Sequence, residues 1–274
     1  MRNLVRSQTA ARLKKLDREV RRVAHHPHLA DVIHDLRVSI RRLKQELNVF
    51  EEWFEPEAVK RIRRDLKKLL EHCAAVRNCD IAAEILGAAG CPSPPLLAGL
   101  EKERKRQQEQ LERMLEKWRG TDRVRKWRGD LRVGRSVSKG SPAECARRLL
   151  PSKIEDLFRA GREAAGLNSS QRNMHRFRLK TKRVRYTLEL FEKVYGRKTE
   201  TMLESLKGLQ GKLGAINDCA TTEEMILGDR KAAAAVRRLG IQREREFRAY
   251  WKKHFGPREK TQWKALLHAA DGKK

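Results

Sequence analysis

Apolar residues recur along this chain at helical spacing. Ile33, Leu36, Ile40, Leu43, Leu47 and Phe50 follow one another at intervals of 3, 4, 3, 4 and 3. That spacing lays one apolar stripe along a helix, turned toward a bundle core. The chain contains no convincing alternation of β-branched residues, and Leu, Ala, Glu, Lys and Arg dominate it. Such a composition favours long helices and predicts an all-α fold. Breaks are expected near His26-Pro27, at Glu55-Pro56, near Asn78 and in GAAGCPSPP (87–95). Further breaks are expected near Gly166–Ser170, Gly196, Asn217 and Gly228, which gives four or five helices in each half. The charged run EKERKRQQEQLERMLEKW (101–118) predicts one long, mostly solvated helix.

The pattern occurs twice. HDLRVSIRRLKQELNVF (34–50) lies over MHRFRLKTKRVRYTLELF (174–191) when His34 is set on His175. Arg37 then meets Arg178, Arg41 meets Lys182, Arg42 meets Arg183 and Lys44 meets Arg185. LKKLLEHCAAVRNCD (66–80) falls on LKGLQGKLGAINDCA (206–220) at nearly the same offset, pairing Lys67 with Lys207 and Asn78 with Asp218. Two helices in the same order at one offset indicate a tandem repeat of about 140 residues. The expected organisation is a first bundle over 1–128, a linker over 129–142 rich in Gly and Ser, and a second bundle over 143–274. Antiparallel helical bundles are the simplest packing for such halves.

Each repeated helix carries a second stripe. His34, Arg37, Arg41 and Lys44 are spaced 3, 4, 3, and His175, Arg178, Lys182 and Arg185 repeat that spacing. The polar stripe is rotated by about 100° from the apolar one. No acid lies inside it, so no local i,i+4 pairing of these charges is expected. Like charges one turn apart cost a helix a few tenths of a kcal/mol per pair, and a plain surface would mix in acids. Arg42 and Arg183 sit about 100° further round, at the edge of the stripe. If the halves pack about a pseudo-twofold axis, the stripes face each other and eight side chains line one basic groove. Arg brings a forked donor set that matches phosphate oxygens, and Lys a mobile point charge.

The charge balance extends this reading to the whole chain. Its 274 residues hold 64 Lys and Arg against 36 Asp and Glu, a formal net charge of +28. A polyanion is the natural partner of such an excess. No apolar run reaches transmembrane length and the first twenty residues lack the core of a signal peptide, so a cytoplasmic protein is expected. Five scattered cysteines, Cys73, Cys79, Cys91, Cys145 and Cys219, fit neither a disulfide framework nor a zinc site.

The doubled helix resembles the signature of the CHAD family, the conserved histidine α-helical domain. The likeness lies in His-x-x-Arg-x-x-x-Arg/Lys-Arg, in Tyr186 after the last basic residue of the second copy, and in the closing Phe. VRNCD and LGAIND resemble the family's two following turn motifs, although Asn78 stands where the family more often has Asp. The resemblance covers about residues 1–255. It implies two four-helix bundles with pseudo-twofold symmetry, together one CHAD domain, with a central basic channel that binds inorganic polyphosphate. Matched to the motif, the implied binding residues are His34, Arg37, Arg41, Arg42, Lys44, His175, Arg178, Lys182, Arg183 and Arg185, with Lys67 and Lys207 from the next helix. Arg77 fits the turn motif and either joins the site or braces the fold. A channel of cations with no acids to hold Mg²⁺ is expected to bind phosphates without hydrolysing them and without a cofactor. Targeting to polyphosphate granules, shielding of the polymer and an adaptor role all stay open.

Nucleic-acid binding is the alternative. A sequence pI near 10.5 favours non-specific DNA or RNA binding at low salt, but zinc-finger spacing, RNP motifs and stacking aromatics are lacking. Glu101, Glu103 and Lys105 spell the Glu-x-Glu-x-Lys that opens triphosphate-tunnel metalloenzymes. That motif needs a barrel strand, whereas this one lies in a helical run. No nucleophile–base pair or Walker-type loop occurs. A metal held by His34 and His175 is disfavoured by the surrounding cations. Membrane binding through anionic lipids lacks Trp on the basic stripes. Oligomeric state and the C-terminal segment from Pro257, as helix or tail, are left open by the sequence.

Overall fold

Helices begin where the sequence supplies caps. A computed structural model describes residues 1–133 and 140–269. It contains α1 (Arg2–His25), α2 (Ala30–Val49), α3 (Pro56–Ala88), α4 (Pro94–Gly120) and α5 (Arg123–Asp130). These are followed by α6 (Pro142–Ala165), α7 (Gln171–Leu190), the short α8 (Glu192–Tyr195), α9 (Glu200–Met225), α10 (Arg230–His254) and α11 (Pro257–His268). Among the described residues there is no strand, and the fold is all-α. Pro56 opens α3 behind Glu55, whose carboxylate accepts from the Glu57 and Ala58 amides at 3.0 and 2.6 Å. Ser141 and Glu144 cap α6 reciprocally ahead of Pro142. Ser170 and Asp229 accept amide hydrogen bonds at the starts of α7 and α10.

Three sequence expectations are corrected. α3 runs unbroken through Asn78, and α9 runs unbroken through Asn217. The residue motifs there are helical, not turns. Asn costs a helix only a few tenths of a kcal/mol. Burial of Cys73, Val76, Cys79, Ala82 and Leu86 along one face of α3 exceeds that cost. The linker expected over 129–142 is shorter at both ends: Gly129 and Asp130 complete α5, and Pro142 begins α6. Positions 134–139 of that linker lie outside the described residues, as do 270–274 of the C-terminal segment. From Pro257 to His268 that segment is a helix, with Trp263 and Leu267 buried.

The chain divides into two compact units, Met1–Lys139 and Gly140–Lys274. In the first, α1, α2, α3 and α4 pack in sequence, α4 returns against α1, and α5 lies on α1 and α4. In the second, α6, α7, α9 and α10 pack in sequence, α10 returns against α6, and α11 lies on α6. Each unit is therefore a four-helix bundle with a fifth helix added.

The two units bury the same register. Val5, Leu13, Leu16 and Val23 of α1 correspond, 141 positions on, to buried Ala146, Ile154, Leu157 and Ala164 of α6. Leu36, Leu43, Leu47 and Phe50 correspond to Phe177, Val184, Leu188 and Phe191. Leu66, Leu69, Cys73, Val76 and Cys79 correspond, 140 on, to Leu206, Leu209, Leu213, Ile216 and Cys219. After the longer α3–α4 loop the offset becomes 136, pairing Leu100, Leu111, Leu115 and Trp127 with Val236, Phe247, Trp251 and Trp263. The second core is the more aromatic. Trp251 stacks on Phe255 at 4.7 Å between ring centroids and meets Phe177 edge-on at 5.4 Å.

Candidate anion-binding site

Second and third helices pack against each other in both units, and the basic stripes lie along that seam. In the first unit the apolar face of α2 is sunk in the core, with Ile33, Leu36, Ile40, Leu43 and Leu47 fully buried. Helix geometry then leaves the next stripe at the edge of the core, where long cationic stems lie along apolar surface and their heads reach water. Arg37, Arg41, Arg42 and Lys44 are half-buried, and His34 is exposed. Burial pushes the Cys73 thiol on α3 up to about 12, against the opposing pull of Arg37 and Arg41. Those two guanidiniums therefore lie within electrostatic reach of α3. The imidazole of His34 is held below its ordinary value, first by partial desolvation and then by Arg37, with Arg41 and Arg77 adding to the effect and Asp35 opposing it. Three guanidiniums from two helices thus act on one imidazole.

In the second unit the same seam is tied by hydrogen bonds. His175 Nδ1 lies 3.0 Å from Asn217 Oδ1 on α9. Asn217 Nδ2 donates to Thr221 Oγ1 at 3.4 Å. With Asn217 on the Nδ1 side, Nε2 on the far side of the ring is left for another partner. Arg185 donates from Nε to Glu189 at 3.1 Å and from its terminal nitrogen to Gln210 of α9 at 2.9 Å. This corrects the expectation that no i,i+4 acid compensates the stripe, because Glu189 stands one turn beyond it. Lys182 is buried at 8 % exposure, Arg178 is half-buried, and Arg183 is exposed at the stripe's edge. His175 and Arg178 line a cleft of about 400 Å³ together with Arg172, Asn217 and Thr221, floored by Met174, Leu213 and Ile216.

Lys67 and Lys207 both lie exposed on the third helices. Lys67 pairs loosely with Glu71 at 3.7 Å. Lys207, Gln210, Gly214, Asn217 and Thr221 follow the 3, 4, 3, 4 spacing of one α9 stripe, the side turned toward α7. Gln210 and Asn217 are the site residues that sequence reasoning missed. The signal was present in that spacing, but uncharged amides draw no notice in a search for cations.

Arg77 braces the fold, the second of the two roles considered for it. It adds to the field at His34, and it pairs with Asp80 at 3.6 Å and Glu84 at 3.0 Å. Asp80 also accepts from Arg104 of α4 at 2.6 Å, and Arg104 donates to the His28 carbonyl in the α1–α2 loop at 2.8 Å. The motif around Asn78 thus braces three segments. Glu101, Glu103 and Lys105 lie on helix α4, with Glu103 bonded to Arg106 and Gln107. Among the described residues, no three His, Cys, Asp or Glu side chains come together in a group able to hold a metal ion. No described helix is long and apolar enough to cross a membrane.

Two solved structures share this fold. The crystal structure of the CHAD domain from the plant Ricinus communis aligns with a TM-score of 0.64 at 21% identity, covering 99% of this chain and 92% of that one. PptA from Streptomyces chartreusis aligns with a TM-score of 0.63 at 14% identity, covering 95% and 98%. Comparison with curated proteins gave no match. The family model for the CHAD domain matches residues 7–227, which span the histidine-bearing helices of both units and the third helices packed against them, and the chain belongs to the CHAD family.

Proposed function

We propose that this protein binds inorganic polyphosphate, without turning it over, through the cationic seams α2–α3 and α7–α9. The observation that carries the reading is the repetition: each unit sets a histidine and three cations of its second helix, in one register, against its third helix. Phosphate oxygens would take charge-assisted hydrogen bonds from Arg37, Arg41, Lys44, Arg178 and Arg185, with Lys67 and Lys207 along the rim. Lys182 sits deepest and would act through its field more than by contact. Arg42 and Arg183, at the stripe's edge, would add to the surrounding potential. His175 would present its Nε2 side to a phosphate oxygen.

Nucleic acid fits this surface less well. Trp53, Trp118, Trp127, Trp251 and Trp263 are each no more than 6 % exposed, so their faces are closed to stacked bases. A phosphate polymer asks for cations alone.

The reading is tested by competition at physiological salt, with labelled long-chain polyphosphate set against single- and double-stranded nucleic acid of equal charge. Polyphosphate should win by orders of magnitude, and Arg37→Glu with Arg178→Glu should remove its advantage. Competition in simple proportion to charge would mean a general basic surface and would favour nucleic-acid binding. A binder of this kind would gather where the polymer does, in granules, and a fluorescent fusion with and without the double substitution tests that.

A further inference from the structure

The tandem copies act as controls for each other, and one difference stands on the other seam of the third helix, where it meets the fourth. On the seam between α9 and α10 the second unit is closed. Tyr250 lies over Gly208, where an added Cβ would meet its hydroxyl oxygen at 2.2 Å, and the hydroxyl donates to the Ser205 carbonyl at 3.2 Å. Lys212 beside it is neutralised by Glu246 at 3.0 Å.

At the matching places on α3 and α4 all four residues differ. Lys68 replaces Gly208, His72 replaces Lys212, Gln110 replaces Glu246, and Met114 replaces Tyr250. The plug and the neutralising carboxylate are both missing. What remains is a cleft of about 440 Å³ lined by these four residues with Arg113, Lys117, Trp118 and Arg123. Arg123 is held by Asp65 at 2.9 Å, and Arg113 is only loosely held by Glu109 at 3.4 Å. Lys68, His72 and Lys117 make no ion pair with a described acid. These three side chains surround an apolar floor of half-buried Met114 and the edge of Trp118.

We propose that this α3–α4 cleft is a second ligand site, for a small organic polyphosphate of the nucleotide class. Three uncompensated basic groups with Arg113 suit more than one phosphate. The floor and the volume suit an attached ring system, for which a bare phosphate chain has no use. The second unit, plugged and neutralised, lacks the site. The proposal does not depend on polyphosphate binding at the histidine seams.

The test is calorimetric titration of the full chain with ATP, adenosine and inorganic triphosphate. ATP should bind more tightly than inorganic triphosphate. Lys68→Glu with Lys117→Glu should weaken ATP at least about tenfold. Arg245→Glu with Lys252→Glu, a charge-matched pair on α10, should change it less than about twofold. Lys68→Gly with Met114→Tyr, which copies the plug of the second unit, should also abolish ATP binding while long polyphosphate still binds. Equal weakening by both charge-reversed pairs, unaffected binding in the plugged variant, or inorganic triphosphate binding as tightly as ATP would each overturn the proposal.

Discussion

Glu46 shows how strongly one residue's surroundings set its chemistry. It is fully buried on α2, accepts from Thr9 Oγ1 at 2.6 Å and faces Arg12 at 3.5 Å. Burial outweighs both partners and raises its carboxyl to about 7. A carboxyl raised in the folded state favours the protonated form. Its contribution is therefore intact below its ordinary value near 4.5 and is lost as pH climbs to about 7. The loss amounts to about 3 kcal/mol at most, at 1.36 kcal/mol per unit. Glu46→Gln should flatten the stability profile between pH 4.5 and 7, read as denaturation midpoints; a parallel decline in both proteins would place the titration elsewhere. Thr187 occupies the matching position in the second unit and carries no such dependence. His34 works in the opposite sense. Its lowered value leaves it mostly neutral at pH 7 in the free protein, and a bound polyanion raises it. Polyphosphate binding should then take up protons and tighten as pH falls. Calorimetry in two buffers of different ionisation enthalpy measures that uptake, and His34→Gln should reduce it.

Elements were legible wherever the chain marks their ends chemically. Glu55-Pro56, Ser141-Pro142 and Ser170 each announce a helix start, and each supplies the cap seen in the structure. Asn78 and Asn217 were misread because polar residues inside a helix look like ends when their tertiary partners are unseen. Asn217 is held to His175 across the seam, and Asn78 lies beside the Asp80–Arg104 brace. How elements fit together is decided by volume. Gly161 of α6 faces Trp251 of α10, where an added Cβ would lie 1.9 Å from the ring. The corresponding positions of the first unit hold Val20 and Leu115, so a small residue is matched to a large one and a medium pair stands in its place. Gly161→Ala gains up to about 1 kcal/mol of helix propensity. It should nonetheless destabilise by a net 1–3 kcal/mol or so, because the Trp251 ring is wedged against Phe255 and Phe177 and cannot yield. A thermal melt at or above the wild-type midpoint would contradict that packing argument.

Across the whole molecule, charge is the dominant fact. A net +28 on 274 residues ensures that any polyanion is attracted at low salt, so selectivity has to be read from salt dependence. Polyphosphate affinity should fall steeply with salt through counterion release, by analogy with nucleic acids. Arg37→Glu with Arg178→Glu should make that slope shallower, with far-UV circular dichroism showing that the double variant keeps its helices. An unchanged slope would remove both arginines from the binding surface. The sequence by itself determined the helical class, the duplication, most of the breaks between helices and the two cationic stripes. All of these follow from spacing along one chain, and spacing is a local property. Tertiary structure decided which stripe meets which neighbour. It alone brought Asn217 to His175, Gln210 to Arg185 and Arg77 toward His34, closed one α-helical seam with Tyr250 and left its counterpart open. Those outcomes depend on side-chain volume and on through-space distance between residues far apart in the chain, and neither quantity is written in the order of residues.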